Sequence, residues 1–471
     1  MSNVAPQKTL NPKRSEYKPV GLLRQLGVIS ATALVVSNMI GIGIFTTSGF
    51  LAGDLGDPAL VLIIWVVGAV FALIGAICYS ELGINFPSSG GEYVYLTQAY
   101  GPTWGFMTGW VSFFAGFSAP IAAASLAFSD YLGHFFPALK QENAPYAIGS
   151  GALSLKFGAA QAAACTLIAA FTLLNIFGVR RVARIQNLLT LIKVLMLATF
   201  IGLGFLVGKG SAAHFSMPAV RTSVTPLAAQ FAISLFWIYV SYSGWNAATY
   251  VAEELKQPSI TLPAALALGT GLVALLYIGL NLIFIYATPL ESMKGVVAVG
   301  ALAASHLFGP GVAGIFSALM ALSLVATVNA EVTIGPRVYY AMAKNGAFFS
   351  MAARVDPQWH TPVYAILVQG LCAMLMTFTP FRELIIYIGF SLNFFAVLSV
   401  SSLFVFRRRH NWQRLRVVNI AYPLLPLAFI LVGLWMTVYG IMLQPKVSLA
   451  AIVTIATGAL AYHFRLRSVR Q

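Results

Sequence analysis

Twelve stretches of this chain are mainly apolar and close to the roughly 20 residues that a helix needs to cross a bilayer. They run over residues 22–51, 58–82, 103–133, 158–178, 185–208, 226–251, 262–288, 312–343, 361–380, 384–406, 419–442 and 447–463. Only Gln444-Pro445-Lys446 separates the last two. Inside lipid each backbone N–H and C=O must be satisfied within the segment, and a helix does this by itself. An all-α integral membrane protein with twelve transmembrane helices follows. The charge content agrees: 9% of residues are charged, against about 25% in a soluble domain, too few to cover a water-facing surface of this size.

The formal net charge of +15 would suggest nucleic acid in a soluble protein. Here the cations sit between apolar segments and at the ends, where they write topology, so no nucleic-acid partner is expected. With an even number of spans both termini share a side. That side collects Arg24, Arg180, Arg181, Arg184, Lys256, Arg337, Lys344, Arg354, Arg407, Arg408, Arg409, Arg414 and Arg416, together with the basic residues of both tails. The other side has Lys140, Lys156, Lys209, Arg221, Lys294, Arg382 and Lys446. Both termini are therefore expected in the cytoplasm, with the protein multi-pass in the cell membrane. Residues 1–20 are polar and basic without a small-residue cleavage site, and read as a cytoplasmic tail, as do 464–471. Cys78, Cys165 and Cys372 lie inside apolar stretches, and the histidines have no metal-ligand spacing. No cofactor or metal is expected.

Two spans are interrupted at corresponding places. The first contains Ser37-Asn38-Met39-Ile40-Gly41-Ile42-Gly43-Ile44-Phe45, and the sixth Ser241-Tyr242-Ser243-Gly244-Trp245-Asn246. Glycine-broken helices at matching positions of two halves mark a transporter binding site. A break frees N–H groups where water is scarce, and the half-helix after it points its positive end at the same spot. A carboxylate suits that site, while unwound carbonyls in the sixth span accept from an ammonium. A ligand with both groups is an amino acid. Close helix packing through Gly41 and Gly43 is the simpler alternative for the first break, as is core packing for Tyr242 and Trp245.

Other classes fit less well. A membrane-embedded enzyme needs clustered catalytic groups within the spans, and none stands out. Gly208-Lys209 lacks the earlier glycine and the following Ser or Thr of a phosphate-binding loop, so an ATP-driven pump is disfavoured. A channel is disfavoured by the broken-helix layout. Glu81, Glu92, Glu253, Glu254 and Arg337 lie toward the cytoplasmic ends. They read either as solvated edge charge or as ion pairs of a gate, with Glu81, Glu254 and Arg337 the gate candidates. Asp54 and Asp57 read as solvated. Glu331 lies inside the eighth span, toward that same end.

Ile40-Gly41-Ile42-Gly43-Ile44-Phe45 resembles the first-helix signature of the amino acid–polyamine–organocation (APC) superfamily. Tyr79-Ser80-Glu81-Leu82-Gly83 with Pro87-Ser88-Ser89-Gly90-Gly91-Glu92-Tyr93-Val94-Tyr95-Leu96 resembles the loop after its second helix. Gly244-Trp245-Asn246 with Glu253-Glu254-Leu255 is similar to its sixth helix, and Asn329-Ala330-Glu331 with Arg337 to its eighth. Within the superfamily the L-amino-acid transporter (LAT) branch is most similar. The resemblance implies a LeuT-like fold: a first repeat over 21–208, an inverted second repeat over 226–406, and two further helices over 419–463. It implies that backbone groups of Met39, Ile40, Gly41, Ile42 and Gly43 hold the substrate carboxylate. Val240, Ser241 and Tyr242 then receive the amino group and line the side-chain pocket, and Asn246 braces the broken sixth helix. Ile42 stands where LAT members often have a small polar residue, and Val240 where many have an aromatic gate. Residues 134–157 contain no cysteine, so the disulfide by which mammalian LAT-type proteins tether a glycoprotein is not expected.

Lys193 sits mid-span in Leu191-Ile192-Lys193-Val194-Leu195. A lysine there costs several kcal/mol unless it is paired, hydrated or neutral. Its place matches the fifth-helix lysine of sodium-independent relatives, which resembles a built-in replacement for a sodium ion. On that resemblance it contacts carbonyls near Gly41 and groups around Val328 and Asn329. A fixed cation suits sodium-independent exchange; a lysine that gives up its charge suits proton-coupled uptake. Neutral amino acids are expected first, because no acidic residue is clearly at the site, with cationic amino acids or polyamines as the alternative through Glu331.

Overall fold

The computed structural model describes residues 24–148, 155–177, 179–296, 298–379 and 381–466. The expected tail over 1–20 and the last residues of the chain lie outside them, as does the side chain of Ile42.

The chain is a helical bundle. The first span is two half-helices, α1 (Val28–Met39) and α2 (Ile42–Leu55). The second is α3 (Pro58–Asn85), started by Pro58 at its first position and by Asp57, whose carboxylate accepts from the N–H groups of Ala59 and Leu60. Asp57, read as merely solvated, is thus a helix cap. A short α4 (Glu92–Tyr100) leads into the third span, in which α5 (Pro102–Val111) and α6 (Ala119–Leu132) are joined by a π-helical stretch at Ser112–Ser118. That widened stretch precedes Pro120, whose missing N–H and bulky ring a regular helix interior accommodates badly. A hairpin of β1 (Tyr146–Ile148) and β2 (Leu155–Phe157) follows, pairing Tyr146 with Phe157.

Next come α7 (Ala159–Ile176) and α8 (Val179–Val207), then α9 (Leu227–Tyr242), which breaks and continues as a 3-10 helix over Ala247–Glu254. The rest is α10 (Pro258–Ala287), α11 (Leu290–Met293), α12 (Val299–Phe308), α13 (Pro310–Lys344), α14 (Val363–Met376), α15 (Phe381–Phe406), α16 (Arg416–Ile420), α17 (Leu424–Leu443) and α18 (Pro445–Ala461).

Among the described residues eleven spans are long and apolar enough to cross a membrane. The expected ninth, 361–380, is the exception. Its helix α14 has 14 residues, about 21 Å at 1.5 Å per residue, short of a hydrocarbon core of about 30 Å. It follows Pro362 and ends in a turn at Thr377 and Phe378.

Span 1 packs against span 6 (α2 on α9), span 2 against span 7 (α3 on α10), and span 3 against span 8 (α6 on α13). Elements five apart in order are therefore neighbours. Two junctions also match in detail. α4 runs into the third span through Gly101-Pro102, and α12 into the eighth through Gly309-Pro310. The glycines have φ/ψ of 98°/170° and 92°/172°, a backbone that favours glycine, and the proline then opens the helix.

Candidate substrate site

The first break centres on Ile40 and Gly41, both with extended backbone. Its carbonyls are occupied. The Tyr277 hydroxyl donates to Met39 O (2.6 Å) and lies 3.1 Å from Ser241 O. Thr327 Oγ1 donates to Ile40 O (2.8 Å). Lys193, 1% exposed, donates from Nζ to Ile40 O (2.6 Å), Thr327 Oγ1 (2.9 Å) and Ser37 O (3.3 Å). An ammonium has three protons, and here three oxygens face it. Lys193 thereby joins spans 1, 5 and 8, the spans expected of it, through Thr327 instead of Val328 or Asn329. Asn329 is engaged with Gln186 Oε1 (2.5 Å) and Asn175 Nδ2 (3.2 Å).

The N–H groups that follow the break differ. Among the described residues no side chain caps α2, so its first-turn N–H groups lack a helical partner and carry the positive end of the dipole. Gly43, part of the stretch read from the sequence as interrupted, is within this first turn and is helical, so the break is shorter than that stretch. The restart comes at Ile42 because the extended backbone of Ile40 and Gly41 absorbs the change of direction. Gly43 has a second constraint: a Cβ there would meet Ser241 Cα at 2.4 Å, so only glycine lets α2 lie this close to α9.

The sixth-span break runs from Ser243 to Asn246, with Gly244 at φ 100°. A Cβ on Gly244 would come within 2.8 Å of the Asn38 carbonyl carbon. The two breaks therefore touch. They border a cavity whose wall includes Met39, Gly41, Gly43, Val240, Thr327 and Glu331. An adjoining cavity shares Asn38, Ser243 and Glu331 and reaches Glu92, Asn246 and Tyr250. Ser241 and Tyr242 are not on the first wall. Ser241 donates to Trp237 O (2.7 Å) and pairs with Thr47 Oγ1, and Tyr242 donates to Trp65 O (3.2 Å). Side chains there alternate around the helix, and these two face the core.

Asn246 Nδ2 donates to Glu92 Oε1 (3.0 Å) and to Tyr250 OH (2.9 Å). Glu92 also accepts from Tyr79 OH (2.7 Å) and Tyr250 OH (2.9 Å). Burial pushes the Glu92 carboxyl up from its ordinary range, and the bonds from Tyr79, Tyr250 and Asn246 pull it back. Solvated edge charge therefore does not describe Glu92. Nor does it describe Glu254 and Arg337, buried and joined at 3.0 Å. The Glu254 carbonyl accepts from Gln25 and Leu26 N–H, and Lys256 N–H donates to Leu26 O. The segment before α1, the end of span 6 and span 8 are stitched together at the end of the bundle near the N-terminus.

Glu81 belongs elsewhere. It receives Arg407 Nε (2.7 Å) and Nη2 (2.6 Å), Trp412 Nε1 (2.8 Å) and Leu415 N (3.0 Å). This bidentate pair ties span 2 to the end of span 10. Glu253 alone of the group keeps an edge-charge character, half-buried with Lys344 at 3.8 Å.

A polytopic helical bundle, with two broken helices meeting over an interior cavity that carries a few polar groups, defines a membrane transporter. The sequence pattern of the amino acid permease family matches residues 26–459, and the chain belongs to that family. Its members and relatives are transporters, not enzymes. It is 29% identical over 450 residues to the human large neutral amino acids transporter small subunit 2, covering 94% of this chain and 80% of that one. It is 30% identical to the mouse Asc-type amino acid transporter 1 over 452 residues (93% and 80%), and 28% identical to the mouse b(0,+)-type amino acid transporter 1 over 459 residues (96% and 89%). These names agree with the resemblance to the LAT branch.

Thr327, Tyr277, Asn38 and Ser243 are absent from the sequence-derived site. Thr327 had a signal: Ser323, Thr327 and Glu331 recur every fourth residue of one apolar helix, and so share a face.

Proposed function

We propose that the protein is a sodium-independent carrier of L-amino acids that works by exchange and alternating access. The observation that carries this reading is the asymmetry at the first break, where the Met39 and Ile40 carbonyls are occupied and the first-turn N–H groups of α2 have no side-chain cap among the described residues. Such a site suits a carboxylate, and the sixth-span break beside it offers the ammonium a place near Val240. Lys193 supports sodium independence, because its three protons supply at the junction of spans 1, 5 and 8 what a bound cation would. A lysine with three acceptors is better held charged than neutral, which favours exchange over a proton cycle.

The packing of spans 1, 2 and 3 on spans 6, 7 and 8, and the matched Gly-Pro junctions, support two inverted repeats over 21–208 and 226–406. Cation placement supports cytoplasmic termini in a cell membrane, and the Glu254–Arg337 pair is then part of a cytoplasmic gate. The absence of cysteine from 134–157 supports action without a disulfide-linked partner. The test is uptake of radiolabelled amino acid into proteoliposomes, with and without sodium and with and without internal amino acid. Saturable, stereoselective uptake that needs internal amino acid and ignores sodium is expected. Sodium-driven uptake into empty vesicles overturns it.

A further inference from the structure

Three buried carboxylates of this chain have partners. Glu81 receives four donors, Glu92 three, and Glu254 the guanidinium of Arg337. Glu331 is the exception. It is 7% exposed and lies on the wall of both cavities at the broken helices. Its backbone carbonyl accepts from Gln369 Nε2 (3.2 Å), but among the described residues its carboxylate takes no hydrogen bond and no ion pair within 4.0 Å. Lys193 is the cation that acts on it electrostatically, yet Lys193 directs its protons to Ser37 O, Ile40 O and Thr327 Oγ1.

An ionised carboxylate held out of water without a partner is costly, and the cost disappears when a cation enters with it. We propose that Glu331 is the counter-charge for a cationic side chain of the substrate, so that lysine-like and ornithine-like amino acids are carried. This rests on the carrier reading above. The α-carboxylate occupies the first-turn N–H groups at Gly43 and the α-ammonium the end of α9 near Val240. The side chain then crosses to α13, where Glu331 stands at the seam between the two cavities. Asn38 and Ser243, shared by both walls, are polar neighbours along that path. The premise for preferring neutral substrates, that no acidic group stands at the site, does not hold in the folded chain.

Lysine and norleucine test this directly, since lysine is norleucine with an ammonium in place of one hydrogen of the terminal methyl. Competition by each against a radiolabelled amino acid is measured for wild type and Glu331→Gln in proteoliposomes. Wild type should favour lysine at least tenfold, and Glu331→Gln should collapse the lysine-to-norleucine affinity ratio at least tenfold. Wild type that takes norleucine and not lysine overturns the proposal, and this comparison stands even where the variant does not fold. A variant that loses both ligands in equal proportion also overturns it, because Glu331 then serves the α-ammonium or the fold. Wild type in which neither competes with the labelled amino acid also overturns the proposal, whereas failure to take up any labelled amino acid overturns the carrier reading itself.

Discussion

Replacing Lys193 by alanine removes the ammonium that bridges the first break to Thr327 of span 8 from span 5. The ammonium makes bonds of 2.6, 2.9 and 3.3 Å. A hydrogen bond to a charged group contributes about 1.5–3 kcal/mol, and the longest of the three falls below that range. After truncation Ile40 O keeps the Thr327 hydroxyl at 2.8 Å, whereas Ser37 O loses its donor at the end of α1, where no helical N–H follows. The two short bonds together give a loss of about 3 kcal/mol in holding the break in its assembled geometry. Overall stability changes less than this, because the cost of burying a charge, several kcal/mol, disappears with the charge. The effect therefore concentrates at the site. About 3 kcal/mol corresponds to roughly a hundredfold shift in the population of the assembled break, and we expect transport efficiency to fall at least tenfold while the protein remains folded. Initial rates in proteoliposomes for wild type and Lys193→Ala, over a range of substrate and with or without sodium, measure it. Unchanged kinetics in Lys193→Ala, or strong sodium dependence in the wild type, would refute the reasoning.

Three further outcomes follow. Gly43→Val forces methyl groups into the backbone of Ser241, which costs about 1–3 kcal/mol or more; substrate binding should be lost and the melting temperature lowered, and a variant normal in both would remove the close approach from the account. Glu254→Gln leaves Arg337 buried without its charge partner, at a cost of about 3–5 kcal/mol in the closed arrangement. A cysteine placed at Ser243 should then react faster with a thiol reagent applied from the N-terminal side, and an unchanged rate would deny the pair a gating role. For topology, Glu142 and Arg414 are exposed: a cysteine at Glu142 should label from outside intact cells and one at Arg414 only after permeabilisation, and the reverse pattern would invert the chain.

The breaks and Lys193 were legible because each violates a local rule. Paired glycines weaken a helix, and a mid-span lysine has to be neutralised. What these groups touch was less legible. Edge position in the apolar windows leaves Glu81, Glu92, Glu254 and Arg337 open between solvated charge and gate ion pairs, and burial and partners decide their character. The partner of Glu81 lies 326 residues along the chain, a separation that no local pattern encodes. The resemblance puts Ser241 and Tyr242 on the pocket; which side of α9 faces the cavity depends on how α2, α3, α15 and α17 pack around it. The ninth span looked long enough as a window, but the window includes the turn that ends α14. The Gly-Pro junctions at 101–102 and 309–310 were readable as an internal repeat, since they stand at the head of the third and eighth spans.

One helix gathers most of the chemistry. Along α13, Thr327 takes part in the Lys193 tether, Glu331 stands one turn later on the seam of the cavities, and Arg337 lies further on, closed against Glu254. The distance from Thr327 to Arg337 is about 15 Å at 1.5 Å per residue. A substrate cation drawn to Glu331 would therefore act on the same rigid element that holds the first break through Thr327 and the closed end of the bundle through Arg337. A shift or rotation of α13 cannot move one of these contacts and leave the others in place, because a packed helix transmits displacement along its length. The carboxylate that selects the substrate would then also be the point at which occupancy of the site reaches the gate, with no separate relay between them.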